Sequence, residues 1–191
     1  MTDLYWDIFT DMIKGIPGDI VECGVGRGVS LINIGKINCD RIIFGYDSFL
    51  GFPEPTPEDN SKRNPKKGEW SKSLDGTFDY TKQYVSDILA AEGLGNIILV
   101  DGFFDKTLND HPDRPIALLH VDGDLYQSHK VILENLFGLV SCGGLVIFDD
   151  VYMDKSECPF PGAYKAVKEF LGDRFDDMKK SISGNYYYVK P

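Results

Sequence analysis

The stretch DIVECGVGRGVS, residues 19–30, decides the fold class, because a short apolar run is followed by a cluster of glycines and then by a helical pattern. The run before the glycines predicts a buried strand, and residues 30–37 predict the helix that follows. Gly24, Gly26 and Gly28 let the backbone turn sharply between the two and approach a ligand closely. The order of strand, glycine turn and helix is typical of an α/β unit whose helix N-terminus faces a ligand.

The remaining chain repeats this alternation. Helices are predicted at residues 3–14, 78–92, 127–140 and 162–171, and buried strands at residues 41–46, 96–100, 116–121 and 145–148. Residues 178–182 and 186–189 predict two more strands, joined by a hairpin at Ser183-Gly184-Asn185. We therefore expect one α/β domain over residues 1–191, with a mainly parallel twisted sheet, helices on both faces and an antiparallel C-terminal hairpin.

Residues 51–76 differ in composition from the rest of the chain. They are rich in Pro, Lys, Asp and Gly and contain few apolar residues. A loop of this length in a compact domain is usually a functional lid or a disordered segment. We interpret it as a mobile lid inserted in the domain, and a plain disordered insertion is the alternative.

Composition and charge exclude several classes of function. The formal net charge of -10 disfavours binding to nucleic acid, which depends on basic residues that neutralise phosphates. No apolar run approaches the roughly 20 residues of a membrane helix, and the first residues carry acids where a signal peptide carries bases. None of the four cysteines forms a CxxC pair, so we expect a reducing, cytoplasmic setting with Cys23 and Cys142 as small buried residues.

Acidic residues recur at or near the C-terminal ends of the predicted strands. They are Glu22, Asp47, Asp101, Asp122, Asp149 and Asp150. Ligands bind at this edge of an open α/β sheet. So many carboxylates repel one another unless a cationic ligand, a metal or ligand hydroxyls compensate them. Any single one could instead cap a helix or a turn.

The spacing of the glycines bears on which ligand is bound. The pattern is GxGxG, and the third glycine of a dinucleotide-binding GxGxxG would fall at Val29. Asp47, at the end of the next strand, is placed to bind two ribose hydroxyls, and Asp101-Gly102 lies where an adenine edge could be read. Two alternatives are a nicotinamide-dependent oxidoreductase, whose catalytic set we cannot find, and a non-catalytic cofactor-binding protein.

Five segments, in order, resemble a known family. They are DIVECGVGRGVS, FGYDSFLGFPEP, ALLHVDGDLYQS, GGLVIFDDV and PGAYKAVKEF, spread over roughly residues 17–172. Together they resemble the macrocin O-methyltransferase (TylF-type) family, which methylates sugar hydroxyls on natural products. The HVDGDLYQS segment followed by FDDV is the most specific part, and the glycine turn is the least.

The resemblance implies a Rossmann-like class I methyltransferase fold, S-adenosylmethionine and a magnesium ion. The implied metal ligands are Asp122, Asp149 and Asp150, and an all-oxygen set of this kind suits Mg²⁺ rather than zinc. The complete aspartate set argues against a non-catalytic relative. The implied cofactor-binding residues are Glu22, Gly24, Gly26, Gly28, Ser30, Asp47, Ser48, Phe49, Asp101, Gly102, Phe103 and Asp122.

The resemblance also implies an acceptor that contains a saccharide, and a homodimer is possible. For the base we consider Asp124, His129 and Asp122 acting through a water. Asp124 could instead cap the following helix, and His129 could be a polar residue on an exposed helix face. Trp70 could stack on a sugar ring or simply anchor its loop.

Overall fold

A mainly parallel sheet forms the centre of the protein in the computed structural model, which describes residues 4–73, 76, 79–152 and 158–191. Its strands are β1 (Asp19–Cys23), β2 (Ile43–Asp47), β3 (Ile97–Asp101), β4 (Ile116–Val121), β5 (Val140–Phe148), β6 (Lys179–Lys180) and β7 (Tyr186–Val189). Among the described residues the order is β3-β2-β1-β4-β5-β7-β6. Strands β1 to β5 pair in parallel, and β7 pairs antiparallel with both β5 and β6. The predicted fold class is confirmed.

Helices cover both faces of this sheet. They are α1 (Leu4–Met12), α2 (Val29–Ile37), α3 (Lys82–Ala91), α4 (Phe104–Thr107), α5 (Tyr126–Leu136) and α6 (Pro161–Leu171). Apolar side chains of α1, α2 and α3 pack on one face, and those of α5 and α6 pack on the other. All residues of β1 and β4 are buried, as expected of strands covered on both faces. No helix among the described residues is long and apolar enough to cross a membrane.

Several predicted boundaries differ from the structure. Helix α5 ends at Leu136, and β5 begins at Val140 rather than at residue 145, because Val140 pairs with Ile116 of β4 and the backbone of Gly143 and Gly144 exchanges hydrogen bonds with Lys190. Cys142 lies in this first part of β5 and is exposed, so its predicted burial is wrong, whereas Cys23 is buried as expected. Helix α3 begins at Lys82, where the Thr81 side chain accepts a hydrogen bond from the Tyr84 N–H.

The described part of the loop at residues 51–76 is attached to the domain at several points. Phe52 and Asp59 are buried, and residues Pro57–Asp59 form a short 3-10 turn. The Ser61 hydroxyl donates a hydrogen bond to the Pro159 carbonyl at 3.0 Å. Residues 74 and 75 of the predicted lid, like residues 3 and 78 of two predicted helices, lie outside the described residues. The mobility of the lid stays a prediction.

Candidate functional site

A cavity of about 920 Å³ opens at the C-terminal ends of the central strands. The strand order reverses between β1 and β4, and this switch point is where open α/β sheets bind ligands. The lining includes the glycine turn, the acids after three strands and a group of aromatic rings. The predicted site residues that line it are Gly24, Gly26, Ser30, Asp47, Ser48, Phe103, Asp122, Asp124, Asp149 and Asp150.

Three aspartates come together at this cavity. Asp122 follows β4, and Asp149 and Asp150 follow the adjacent parallel strand β5. One carboxylate oxygen from each of the three lies within 4.8 Å of the others. The three carboxylates form an oxygen-only donor set of the type that hard divalent cations prefer. The sequence prediction of a shared acidic site at this edge is consistent with this geometry.

Burial and neighbouring negative charge make Asp122, Asp124 and Asp150 hard to ionise. Burial, followed by the charge of Asp149, raises the pKa of Asp150 to about 7. Burial and the charge of Asp150 also raise the pKa values of Asp122 and Asp124 well above the ordinary range for aspartate. A bound cation would reverse this effect, because positive charge favours the ionised carboxylates. The donors present therefore fit a divalent metal.

Asp124 has an unusual backbone conformation beside this cluster. Its φ is 57°, in the left-handed region, and its N–H donates a hydrogen bond to Asp150 Oδ2 at 2.8 Å. That bond fixes the loop between β4 and α5 against the acids that follow β5. The N-terminal neighbour of α5 is Leu125, so Asp124 does not cap the helix as the alternative interpretation supposed.

Asp47 holds the glycine turn in place. Its Oδ2 accepts hydrogen bonds from the Val25 and Gly26 amides at 2.9 and 2.8 Å, and its Oδ1 accepts one from Phe49 N at 2.7 Å. Three of about four lone-pair positions of the carboxylate are thereby used. The carboxylate lines the cavity, but much of its hydrogen-bonding capacity organises the local backbone.

The structure does not bring every predicted residue to the cavity wall. Glu22, Gly28, Phe49, Asp101, Gly102 and His129 are not among its lining residues. Gly28 lies against Val85, and Phe49 packs on the hydrophobic core. Asp101 is exposed on edge strand β3, and the Gly102 N–H donates to the Asp47 carbonyl.

Two of these residues are buried in the protein interior. Glu22 is fully buried, and its Oε1 lies 2.9 Å from Nδ1 of His120 on the neighbouring strand. His129 is also fully buried, so its interpretation as an exposed helix residue is wrong. Burial lowers the pKa of His129 to about 4, and its Nδ1 contacts the Leu125 carbonyl at 3.1 Å. The His129 side chain faces the interior because α5 packs this face against the rest of the domain.

Two aromatic rings from the loop and one from the start of α6 form a further wall of the cavity. Phe52, Trp70 and Phe160 line it, and the Arg63 guanidinium lies over all three rings at 5.4, 5.7 and 4.9 Å from their centroids. Arg63 also pairs with Glu69 at 2.6 Å. Cation–π contacts of this kind stabilise an aromatic cluster around a single cation. Trp70 thus both lines the cavity and helps to anchor its loop.

Asp59 ties the same loop to the start of α5. Its Oδ2 accepts hydrogen bonds from Thr56 N and Oγ1 at 2.7 and 2.9 Å, and its Oδ1 accepts one from Tyr126 N at 2.7 Å. Gly162 makes room for this carboxylate, because a Cβ there would lie 2.0 Å from Asp59 Oδ1. Asp59 is not among the residues predicted from the sequence, although Thr56-x-x-Asp59 has the spacing of a capping box.

The fold and the site together define a class I methyltransferase architecture. The profile of the Macrocin-O-methyltransferase (TylF) family matches residues 2–175, and the chain belongs to this family. Among solved structures, it is similar to the calicheamicin methyltransferase CalS11, with a TM-score of 0.81 and 25% identity over 97% of this chain and 77% of that one. It is also similar to the O-methyltransferase NovP, with a TM-score of 0.74 and 27% identity over 97% and 79%.

Relatives of this chain are named as O-methyltransferases. The 8-demethyl-8-(2,3-dimethoxy-alpha-L-rhamnosyl)-tetracenomycin-C 4'-O-methyltransferase of Streptomyces olivaceus is 32% identical over 162 residues, which are 81% of this chain. The demethyldecarbamoylnovobiocin O-methyltransferase of Streptomyces niveus is 34% identical over 158 residues, which are 76% of this chain. The chain spans 60% and 56% of the length of these two relatives.

Proposed function

We propose that the chain is an S-adenosylmethionine-dependent O-methyltransferase that acts on a hydroxyl of a sugar or of a glycosylated small molecule. The observation that carries the proposal is a single cavity lined by both the glycine turn and the three clustered aspartates. A methyl donor and a hydroxyl acceptor could meet in such a space. Family membership and relatives named as O-methyltransferases of rhamnosyl and mycinamicin compounds support the same activity.

For the methyl donor, we propose the cavity-lining members of the predicted set as its binding residues. These are Gly24, Gly26, Ser30, Asp47, Ser48 and Phe103. Asp47 Oδ1 accepts one backbone N–H, which leaves it a lone pair for a ribose hydroxyl. The Phe103 ring supplies an apolar surface for an adenine ring. Asp101 and Glu22 do not line the cavity, so they would affect binding of the methyl donor only through these residues.

For the metal, we propose that Asp122, Asp149 and Asp150 hold Mg²⁺. When bound, Mg²⁺ supplies positive charge that lowers the pKa of a coordinated acceptor hydroxyl, while S-adenosylmethionine supplies the methyl group. The carboxylates of the chain orient the acceptor by fixing the position of that charge. We further propose that Asp124, which lines the cavity, receives the hydroxyl proton, with Asp122 acting through a water as the second candidate.

For the acceptor, the wall formed by Phe52, Trp70 and Phe160 favours a saccharide. Aromatic rings bury the apolar face of a sugar, and the loop that carries two of them would exclude water from the reacting hydroxyl. The proposal includes action in the cytoplasm, which the free cysteines favour. The proposed homodimer rests on the family resemblance alone, and sedimentation analysis would test it.

The test combines turnover with ligand binding. Purified protein is assayed for S-adenosylhomocysteine release with a panel of sugars, nucleotide sugars and glycosides, in EDTA and after Mg²⁺ is restored. We expect turnover that EDTA abolishes and Mg²⁺ restores. Calorimetry should show binding of S-adenosylhomocysteine and none of NAD, and the opposite preference would reject the proposal.

A variant pair makes the test specific for the acidic cluster. Asp149→Asn should remove most turnover while leaving the affinity for S-adenosylhomocysteine nearly unchanged, because Asp149 belongs to the proposed metal set. Asp176→Asn changes an exposed aspartate after α6 and is the matched control. Equal activity of the two variants would argue against a metal role for Asp149.

A further inference from the structure

The C-terminal hairpin reaches the acidic cluster through one side chain. Asn185 Nδ2 donates a hydrogen bond to Asp149 Oδ1 at 2.5 Å, across 36 residues of sequence. A carboxylate only accepts hydrogen bonds, so the amide nitrogen of Asn185 must face it. The described side chains thus include a neutral donor directed at a member of the proposed metal set.

The register of the sheet explains this contact. In the antiparallel pair of β5 and β7, Phe148 lies opposite Tyr186. Asn185 and Asp149 are the next residues outward on each strand, so the pairing brings them together. Strand β7 is firmly held, because Tyr188 is buried and the Tyr187 ring packs edge-on against Phe9 at 5.5 Å.

The turn before β7 also fixes the backbone of Asn185. Its carbonyl accepts a hydrogen bond from Ser181 N at 2.8 Å, and Gly184 N donates to the Ser181 carbonyl at 3.1 Å. Gly184 has a φ of 101°, which closes the turn at no steric cost to a side chain. The hydroxyls of Ser181 and Ser183 lie 2.7 Å apart on the same turn. Asn185 therefore extends from an ordered turn toward Asp149.

The other acids of the cluster are held differently. Asp150 is buried and accepts a hydrogen bond from Asp124 N, whereas Asp149 is exposed to solvent. An exposed carboxylate samples several rotamers unless a partner holds it. The neutral amide of Asn185 supplies that partner without adding a charge, whereas a lysine there would compete with a cation and a carboxylate would repel Asp149.

We propose that Asn185 is a positioning residue that holds the Asp149 carboxylate in place to bind the metal. This inference rests on the proposed metal-dependent function. It occupies one carboxylate oxygen and leaves the other for the cation. Hydrogen bonds of this kind to ligating residues commonly contribute about tenfold or more to metal affinity. The C-terminal hairpin is accordingly part of the metal site as well as an edge of the sheet.

The test measures metal binding directly. Calorimetry with Mg²⁺ alone, in the presence of S-adenosylhomocysteine, compares the wild-type protein with Asn185→Ala, Asn185→Gln and Asn185→Asp. We expect Asn185→Ala to weaken the binding of Mg²⁺ about tenfold. Asn185→Gln should recover part of this loss, because it retains the amide donor. Asn185→Asp should differ from Asn185→Ala in its Mg²⁺ affinity, because it adds a negative charge. The affinity for S-adenosylhomocysteine should not change in any of them.

Ser183→Ala is the matched control, since it loosens the same turn without touching Asp149. Thermal melting without metal identifies any variant that merely unfolds the hairpin. The Asn185 proposal is overturned, and the metal site stands, in either of two outcomes. In the first, Asn185→Ala and Ser183→Ala weaken Mg²⁺ binding equally. In the second, Asn185→Ala keeps the wild-type affinity for Mg²⁺ while Asp149→Asn loses it. If the wild-type protein binds no Mg²⁺, the metal site itself is overturned together with the role of Asn185.

Discussion

Asp59→Ala should destabilise the protein through the attachment of its loop to α5. The Asp59 carboxylate is 2% exposed and accepts from two backbone amides, Thr56 N and Tyr126 N, and from the Thr56 hydroxyl. The hydroxyl can rotate to water, but the partly buried amides lose their acceptor at about 1–2 kcal/mol each. We therefore expect a loss of about 3 kcal/mol, or about 6–12 °C in Tm for a domain of this size.

Asp59→Asn should have an intermediate effect. Its single carbonyl oxygen can serve the two Thr56 donors, but the amide group then faces the Tyr126 N–H, which is also a donor. Glu58→Gln is the control, because Glu58 lies in the same turn and pairs with Lys165 near the surface, whereas the Thr56 and Tyr126 amides donate to Asp59. Urea unfolding and thermal melting measure all three variants. The reasoning is refuted if Asp59→Ala is no less stable than Glu58→Gln.

Three further predictions concern the cavity wall, the sheet edge and pH. Arg63→Met should raise the KM for the acceptor about tenfold, since the aromatic wall loses its shared cation; an unchanged KM, with unchanged S-adenosylhomocysteine affinity, would contradict this. Lys190→Met removes an ammonium group that donates hydrogen bonds to three backbone carbonyls after α5, and it should lower the free energy of unfolding by about 2–3 kcal/mol. Urea unfolding measures this loss, with Lys179→Met at an exposed position as the control. Because the folded-state pKa of Asp150 is raised to about 7, the metal-free protein should lose stability as pH rises from about 4 to 7, and Mg²⁺ should flatten that slope. Parallel Tm profiles with and without Mg²⁺ would be the contrary result.

Local sequence patterns predicted the features that depend on residues close together in the sequence. Strand β1 has the predicted bounds, and Asp122, Asp149 and Asp150 lie together because parallel strands end at one edge of the sheet. The apolar run predicted a strand only over residues 145–148, so the start of β5 was placed too late. In the structure β5 continues through the Gly143-Gly144 pair, and its backbone exchanges hydrogen bonds with Lys190, which follows β7.

The features that sequence analysis missed depend on distant contacts. Asn185 meets Asp149 only through the register of β7 with β5, and Asp59 meets Tyr126 across 67 residues. His129 lies on a helix whose buried face is decided by its packing against other elements, so its own neighbours in sequence gave no sign of burial. Such contacts need the three-dimensional arrangement of the whole sheet before a role can be assigned.

The close approach of Gly24 to Asp122 limits how this cavity could be redesigned. A Cβ at Gly24 would lie 1.7 Å from the Asp122 carbonyl oxygen, so no side chain fits there without moving the loop that carries Asp122. Directed evolution toward bulkier acceptors would thus find its tolerated substitutions at Phe52, Trp70 and Phe160 in the aromatic wall. Diversity of acceptors can arise on that side while the backbone contact between the glycine turn and Asp122 stays invariant.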